Sequence, residues 1–182
     1  MDEIVKKALA KWPDVPHCYG WLGLDARGDW YLRDARAQAA GAFGGGALAA
    51  KGSRLEHAGL IGFIARNYAP DGSGQWFFQN GPQRVYVELQ ATPWIWRVAA
   101  DGAVHAHTGQ SVSLRQAYTD EQGRVYLQTS GGFGLVHTQD VLAVADALQE
   151  GRWRDPQPVR ADELPARFGY ILSPQARQGD SI

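Results

Sequence analysis

Asp25-Ala-Arg-Gly28-Asp-Trp30-Tyr31-Leu32-Arg33 joins a tight turn to a short aromatic strand. The pattern returns as Asp71-Gly-Ser-Gly74-Gln-Trp76-Phe77-Phe78-Gln79 and as Asp120-Glu-Gln-Gly123-Arg-Val125-Tyr126-Leu127-Gln128. Aspartate at the first position of a type I turn accepts the backbone N–H groups ahead of it, and glycine at the fourth tolerates a positive φ. Each copy therefore launches a strand. The recurrence reports architecture and carries no chemistry of its own.

Working outward, residues 19–24 and 29–33 pair as a hairpin across the first turn. Residues 75–79 and 84–89 do so across Asn80-Gly81, 94–98 and 103–107 across Asp101-Gly102, and 124–128 and 133–137 across Ser130-Gly-Gly132. In 84–89, Val85, Val87 and Leu89 alternate with Arg84, Tyr86 and Glu88, which predicts one core face and one polar face. Ile4, Val5, Ala8, Leu9 and Trp12 recur at helical spacing ahead of Pro13. Ser53 with Glu56 reads as a capping box opening a helix whose apolar face includes Leu55, Ala58, Leu60, Ile61, Phe63, Ile64 and Tyr68, and which Pro70 ends. Thr138 caps another, with Val141, Leu142, Val144, Ala145 and Leu148 apolar and Gly151 past its end. Residues 34–52, rich in Ala and Gly, read as a mobile loop. Lys51-Gly52-Ser53 stands in the wrong order for a phosphate-binding P-loop, and no apolar strand leads into the glycines.

These elements predict an α+β fold of two similar lobes of antiparallel β-hairpins, each packed against one helix. The expected organisation is an N-terminal helix over 1–16, a first lobe over 17–90, a second over 91–151 with a different order of elements, and a Pro-containing segment over 152–182. Residues 168–172 are expected to dock as a short strand and the last ten residues to be loose.

A chain of 182 residues buries roughly 70% of its unfolded surface, enough for a core without metals or disulfides. With 18 basic against 19 acidic residues and no Lys/Arg run, nucleic acid is not an expected partner. Cys18 is the single cysteine, which excludes an internal disulfide and suits a reducing compartment. The charged N-terminus lacks a signal-peptide core and no stretch is long enough to span a bilayer, so a cytoplasmic protein with no membrane partner is expected.

His17-Cys18-Tyr-Gly-Trp-Leu-Gly-Leu24, the Asp25 turn, the capped helix and Trp76-Phe-Phe-Gln-Asn-Gly-Pro-Gln-Arg-Val-Tyr-Val87 together resemble an uncharacterised proteobacterial family known only as a domain of unknown function. A second such family, DUF1285, is more distantly similar. Its pattern is met by Pro16 and Cys18, by Gly28 with Trp30 and Tyr31, by residues 60–64, by Asp71 to Gly74, and by Glu88 to Pro93. The resemblance covers the N-terminal half and implies an α+β fold with repeated motifs and a role in signalling or ligand binding. It brings no catalytic residue. The chain departs from it where Tyr19 separates Cys18 from Gly20 and where an acidic residue soon after that glycine is missing.

His105 and His107 lie two apart on a strand and share a face, but a zinc site needs a third protein ligand and only His137 offers itself. Cys18 beside His17 points to the opposite side of an extended strand, which leaves a distant base such as His57 for any thiolate chemistry. No nucleophile elbow, zincin helix or dinucleotide fingerprint occurs. The polar face Arg84, Tyr86 and Glu88, with Asn80 and Gln83, offers directed hydrogen bonds to a small anionic or amide-bearing ligand. Trp94 and Trp96 share a strand face and line either a pocket or the core. The first reading is a non-enzymatic, regulatory module that binds a small ligand or a protein through those seven residues, at a groove between the lobes, with no cofactor. A metal- or thiol-dependent hydrolase is the second, and a homodimer formed by sheet extension the third.

Overall fold

All three Asp-x-x-Gly turns close in the same way. Asp25, Asp71 and Asp120 each donate their backbone N–H to the carbonyl four residues on, at Asp29, Gln75 and Arg124. The carboxylate of each accepts the N–H of that same residue, at 3.0, 3.0 and 2.8 Å. Gly28, Gly74 and Gly123 take φ of +83°, +83° and +75°, which a side chain would strain.

The computed structural model describes residues 1–179. They form two compact units: residues 1–25 and 29–91 with the chain from Gly169 onward make the first, and residues 26–28 with 92–168 make the second. The first contains α1 (Glu3–Lys11), β1 (Cys18–Leu24), β2 (Trp30–Leu32), α2 (Ala35–Ala39), α3 (Leu48–Lys51), β3 (Ser53–Arg54), α4 (Ala58–Arg66), β4 (Tyr68–Pro70), β5 (Trp76–Asn80) and β6 (Gln83–Leu89). The second contains β7 (Trp94–Val98), β8 (Val104–Ala106), β9 (Ser111–Val112), β10 (Leu114–Thr119), β11 (Val125–Thr129), β12 (Gly132–Val136), α5 (Val141–Gln149), β13 (Gln157–Pro158) and α6 (Leu164–Phe168). The last helix, α7 (Pro174–Gly179), returns to the first unit. No helix among the described residues is long and apolar enough to cross a membrane.

The first sheet runs β3-β2-β1-β6-β5-β4, and the second β9-β8-β7-β12-β11-β10 with β13 added beyond β10. Adding six to each strand number of one sheet gives the other. In both, two antiparallel halves meet at a parallel pair, β1 with β6 and β7 with β12. The strand order is thus the same in the two units, while the order of elements as a whole differs. It is the helices that differ: α4 separates β3 from β4, whereas Ser113 alone separates β9 from β10. The Asp71 and Asp120 turns occupy equivalent positions, between β4 and β5 and between β10 and β11.

Those two turns carry a pH signature. Burial pulls the Asp71 carboxyl up, but the Ser73 N–H and hydroxyl, the Gln75 N–H and the Tyr86 hydroxyl outweigh it and hold it below the ordinary value of 3.8. At Asp120 burial is likewise outweighed, by the Arg124 N–H, the Tyr126 hydroxyl at 2.8 Å and the Arg124 guanidinium at 2.7 Å. A depressed folded-state pKa contributes stability that is complete above the unfolded value and is lost as pH falls through it to the folded value. Acid unfolding followed by circular dichroism is expected to steepen below about pH 4. Asp120→Asn should flatten that limb; an unchanged limb would assign the transition to other groups.

Several local expectations give way to longer-range packing. Residues 34–52 hold two short helices instead of a loop, because Asp34 accepts the Ala37 N–H at 2.8 Å and the buried Arg33 binds the segment from beneath. Arg33 donates to the carbonyls of Ala50, Gly20 and Gly41 at 2.7, 3.2 and 2.6 Å. Phe43 lies against Gly23, where a β-carbon would come within 2.5 Å of its ring. The Ser53 capping box does not form: Ser53–Arg54 is an edge strand on β2, and His57 Nδ1 caps α4 by accepting the Leu60 N–H at 3.1 Å. The same helix stops at Arg66, and Tyr68–Pro70 pairs with β5. His137, not Thr138, caps the turn that precedes α5.

The chain end is also ordered further than expected. Residues 169–172 dock without forming a strand: the Ile171 N–H reaches the Gly74 carbonyl at 3.0 Å and the Leu172 carbonyl accepts the Leu89 N–H at 2.8 Å. Residues 174–179 are helical rather than loose, and the remainder of the expected loose segment, 180–182, lies outside the described residues.

Candidate functional site

The seven residues singled out in the sequence divide between the two units. Five lie on or beside β6 in the first. Asn80 is exposed at the β5–β6 reversal, and Gln83 donates to the Pro16 carbonyl at 2.9 Å. Arg84 lies over the Phe77 ring at 4.5 Å. Tyr86 is buried, stacked on Tyr19 at 4.5 Å with its hydroxyl donating to Asp71 at 3.2 Å. Glu88 is buried too, accepting the Ser173 hydroxyl at 2.5 Å and the Gln175 N–H at 3.0 Å. The face expected to be polar and open is therefore closed along its second half, because residues 173–175 lie over it. Burial pushes the Glu88 carboxyl up; Ser173, Gln175 and the Arg33 charge pull it part of the way back.

Trp94 and Trp96 belong to the second unit, stacked with centroids 5.7 Å apart. Both are buried, Trp96 completely, and its indole N–H donates to the Leu127 carbonyl at 3.0 Å. They are core side chains rather than pocket walls, since Gly134 of β12 leaves the room they fill: a β-carbon there would sit 2.6 Å from Trp96 Nε1.

The histidines and the thiol are placed as follows. His107 Nδ1 accepts the Ile95 N–H at 3.3 Å, and desolvation pushes the imidazole down to about 4. His105 pairs in register with Arg97, a cation. Among the described residues no group of three His, Cys, Asp or Glu side chains is placed to hold a metal ion. Cys18 is half-buried, in register with Val85, and the His17 ring meets the edge of Tyr86 at 5.8 Å.

An open concave surface of the first unit lies elsewhere, in a cleft of about 620 Å³ between the β1–β2 hairpin and the helices α2 and α3. Its walls are Trp21, Leu32, Ala37, Ala40 and Ala49, with Asp34, Arg36 and Ser53 among the polar groups. Trp21 is 50% exposed and Leu32 46%. Along β1, Leu22 and Leu24 turn into the core, which sends Trp21 and Gly23 to the other side. Phe43 covers Gly23, and Trp21 is left uncovered. The Arg36 guanidinium is exposed and has no hydrogen-bond or ion-pair partner among the described residues. Asp34, the one carboxylate of the lining, is engaged as the cap of α2. Sequence reasoning missed this site, although the Leu22/Leu24 alternation already assigns Trp21 to the face away from the core.

Residues 1–175 match the model of a family, DUF2944, described as "Protein of unknown function (DUF2946)". The fold is similar to a crystal structure of a DUF1285 family protein from Shewanella baltica OS155, at 16% identity and a TM-score of 0.46, covering 69% of this chain and 91% of that one. It is also similar to a DUF1285 family protein from Silicibacter pomeroyi DSS-3, at 11% identity and a TM-score of 0.44, covering 80% and 84%. No curated protein matches.

Proposed function

We propose, for a chain that belongs to the family described as protein of unknown function (DUF2946), a non-enzymatic and regulatory binding role, with the Trp21 cleft as the ligand site. The ligand is a small molecule with a flat or branched apolar body and one anionic group. The single observation that carries this reading is an uncovered indole in a cleft of about 620 Å³ whose one unpaired charge is the Arg36 guanidinium. That volume falls within the usual range of small-ligand pockets, roughly 300–1,000 Å³, and the balance of apolar walls with few polar groups is also typical. Trp21 supplies a stacking surface, the alanines supply close approach, and Arg36 supplies a planar donor suited to a carboxylate or phosphate. In this reading the strip from Asn80 to Glu88 and the Trp94–Trp96 pair are framework.

A thermal-shift screen over anionic metabolites, with native mass spectrometry of the purified protein, tests the proposal. At least one carboxylate or phosphate ester with an apolar body should raise the melting temperature. Trp21→Ala and Arg36→Glu should each weaken it about tenfold, a loss of about 1.4 kcal/mol. Both side chains are exposed, so the unliganded melting temperature should hold. A ligand that binds both variants as tightly as the parent, or a screen with no ligand at all, overturns the assignment.

A further inference from the structure

Glu88 draws its hydrogen bonds from far along the chain. Its buried carboxylate accepts the Ser173 hydroxyl and the Gln175 N–H, the latter at 3.0 Å. Asp71 and Asp120 are instead satisfied within their own turns and by a tyrosine hydroxyl, and both stay below their ordinary value. Two donors and the Arg33 charge do not offset the burial of Glu88, whose carboxyl is held above its ordinary 4.5. Seating residues 173–175 therefore strips water from a carboxylate and leaves it under-satisfied, and lifting them returns it to water. The helix that these residues open also touches both walls of the Trp21 cleft. The Gln175 side chain lies against β1 at Gly20, where a β-carbon would come within 2.5 Å of it, and its amide donates to the Gln38 side chain of α2 at 3.0 Å. Gly20 precedes Trp21, and Gln38 lies between the cleft residues Ala37 and Ala40. Gln38 in turn donates to the Arg33 carbonyl at 3.3 Å. One side chain thus ties the β1 wall to the α2 wall, and the N–H of the same residue is bound by Glu88.

We infer that residues 169–179 are a latch, seated on Glu88, that regulates the Trp21 cleft: seated, Gln175 fixes α2 beside β1, and released, it frees that wall. The inference rests on the cleft being the binding site, but the latch itself is measurable without a ligand. It opens as pH rises. A carboxyl whose pKa is higher when seated than when released stabilises the seated form below the released value, about 4.5, and that stability is lost as pH climbs through the seated value. Around Glu88, β1 brings Gly23 in register and, further along, Tyr19; β5 over 76–80 brings no ionisable side chain. β6 itself brings Tyr86, α7 brings Arg177 with its guanidinium on the Ser73 carbonyl at 3.5 Å, and Arg33 supplies a positive charge. Phenol and guanidinium groups as classes titrate above that window. Asp71, bonded to Tyr86, is held below 3.8 and is already ionised. His17 meets the edge of Tyr86 at 5.8 Å, and histidine as a class titrates inside the window, so it is the group to control for.

The test is amide hydrogen exchange of the full chain by NMR, from about pH 5 to about pH 8 and corrected for intrinsic rates. Leu89 and Gln175, whose N–H groups bond across the contact, report the latch. Gln38 and Ala40, bonded to the Asp34 and Arg36 carbonyls, report α2, and the wholly buried Val87 reports global opening. In the parent the opening constant at Leu89 and Gln175 should rise severalfold across the range, with Gln38 and Ala40 following and Val87 unmoved. Glu88→Gln keeps an acceptor and removes the titration, so its latch should be flat with pH; His17→Gln should leave the rise intact. Ser173→Ala removes one of the two donors and should open the latch severalfold further, which tests the seat even if the Glu88 variant does not fold. Gln175→Ala retains the N–H on Glu88 and should loosen Gln38 and Ala40 while Leu89 stays protected. A flat parent, a rise that survives in Glu88→Gln, or an α2 that stays protected while the latch opens overturns the inference. No ligand enters these measurements, so they stand apart from the thermal-shift screen, whose failure would strike the binding role of the cleft alone.

Discussion

Arg33→Met is expected to lower stability by about 3–5 kcal/mol, the range for breaking a buried charged network. The guanidinium is 1% exposed and donates to three carbonyls that belong to three separate stretches of chain, at Gly20, Gly41 and Ala50. Methionine fills similar space but donates nothing, and each orphaned carbonyl costs about 1–3 kcal/mol. Removing the charge relieves part of the cost of burying it, which burial registers as a lowered Arg33 pKa, so the net falls below the sum of three bonds. A loss of this size corresponds to a fall of about 6–20 °C in melting temperature for a chain of this length. Arg33→Lys should recover little, because a single ammonium does not span three carbonyls. Hydrogen exchange should localise the damage to residues 34–52. A methionine variant that melts with the parent would mean those carbonyls find other donors, and that the segment is held by Phe43 and the alanines alone.

Trp96→Ala is the second large effect, at about 3–5 kcal/mol, the usual cost of truncating a fully buried aromatic. Its ring is inaccessible, stacks on Trp94, and carries a hydrogen bond to Leu127 on β11, so truncation leaves a cavity and removes that bond. Chemical denaturation reads this directly. The experiment also separates two roles that the sequence alone left open. A tryptophan that lines a ligand pocket loses affinity on truncation and leaves the fold intact, whereas one that builds the core unfolds the chain. Retention of full stability by Trp96→Ala would return the Trp94–Trp96 pair to the list of binding residues.

Legibility in the sequence followed the range of the interaction. The three Asp-x-x-Gly turns and the hairpins beside them were readable because the deciding bonds join residues two to four apart. The parallel junctions were not. β1 and β6 meet through residues such as Leu22 and Val87, with four strands made in between, and nothing local marks that pairing. Glu88 shows the same limit from the other direction: its alternation with Val87 and Leu89 is real, yet residues 173–175 cover the side that alternation assigns to water. Ser53 and Glu56 form a locally sound cap signal, and it lost to an open edge on β2. Arg33 ends a strand as any solvated arginine does. Only the folded chain reveals that the Ala/Gly stretch after it is shaped around that side chain. Trp21 was within reach of the strand pattern, since Leu22 and Leu24 on either side of Gly23 turn into the core.

The first unit is interrupted in sequence by the second, and its covering residues 169–179 come last. On the ribosome β6 therefore emerges, and the entire other half is translated, before Ser173 and Gln175 exist to meet Glu88. Throughout that interval Glu88 lacks both of these partners, and the sheet beneath it lacks its final layer. Completion of the earlier half is thus scheduled by synthesis of the later one.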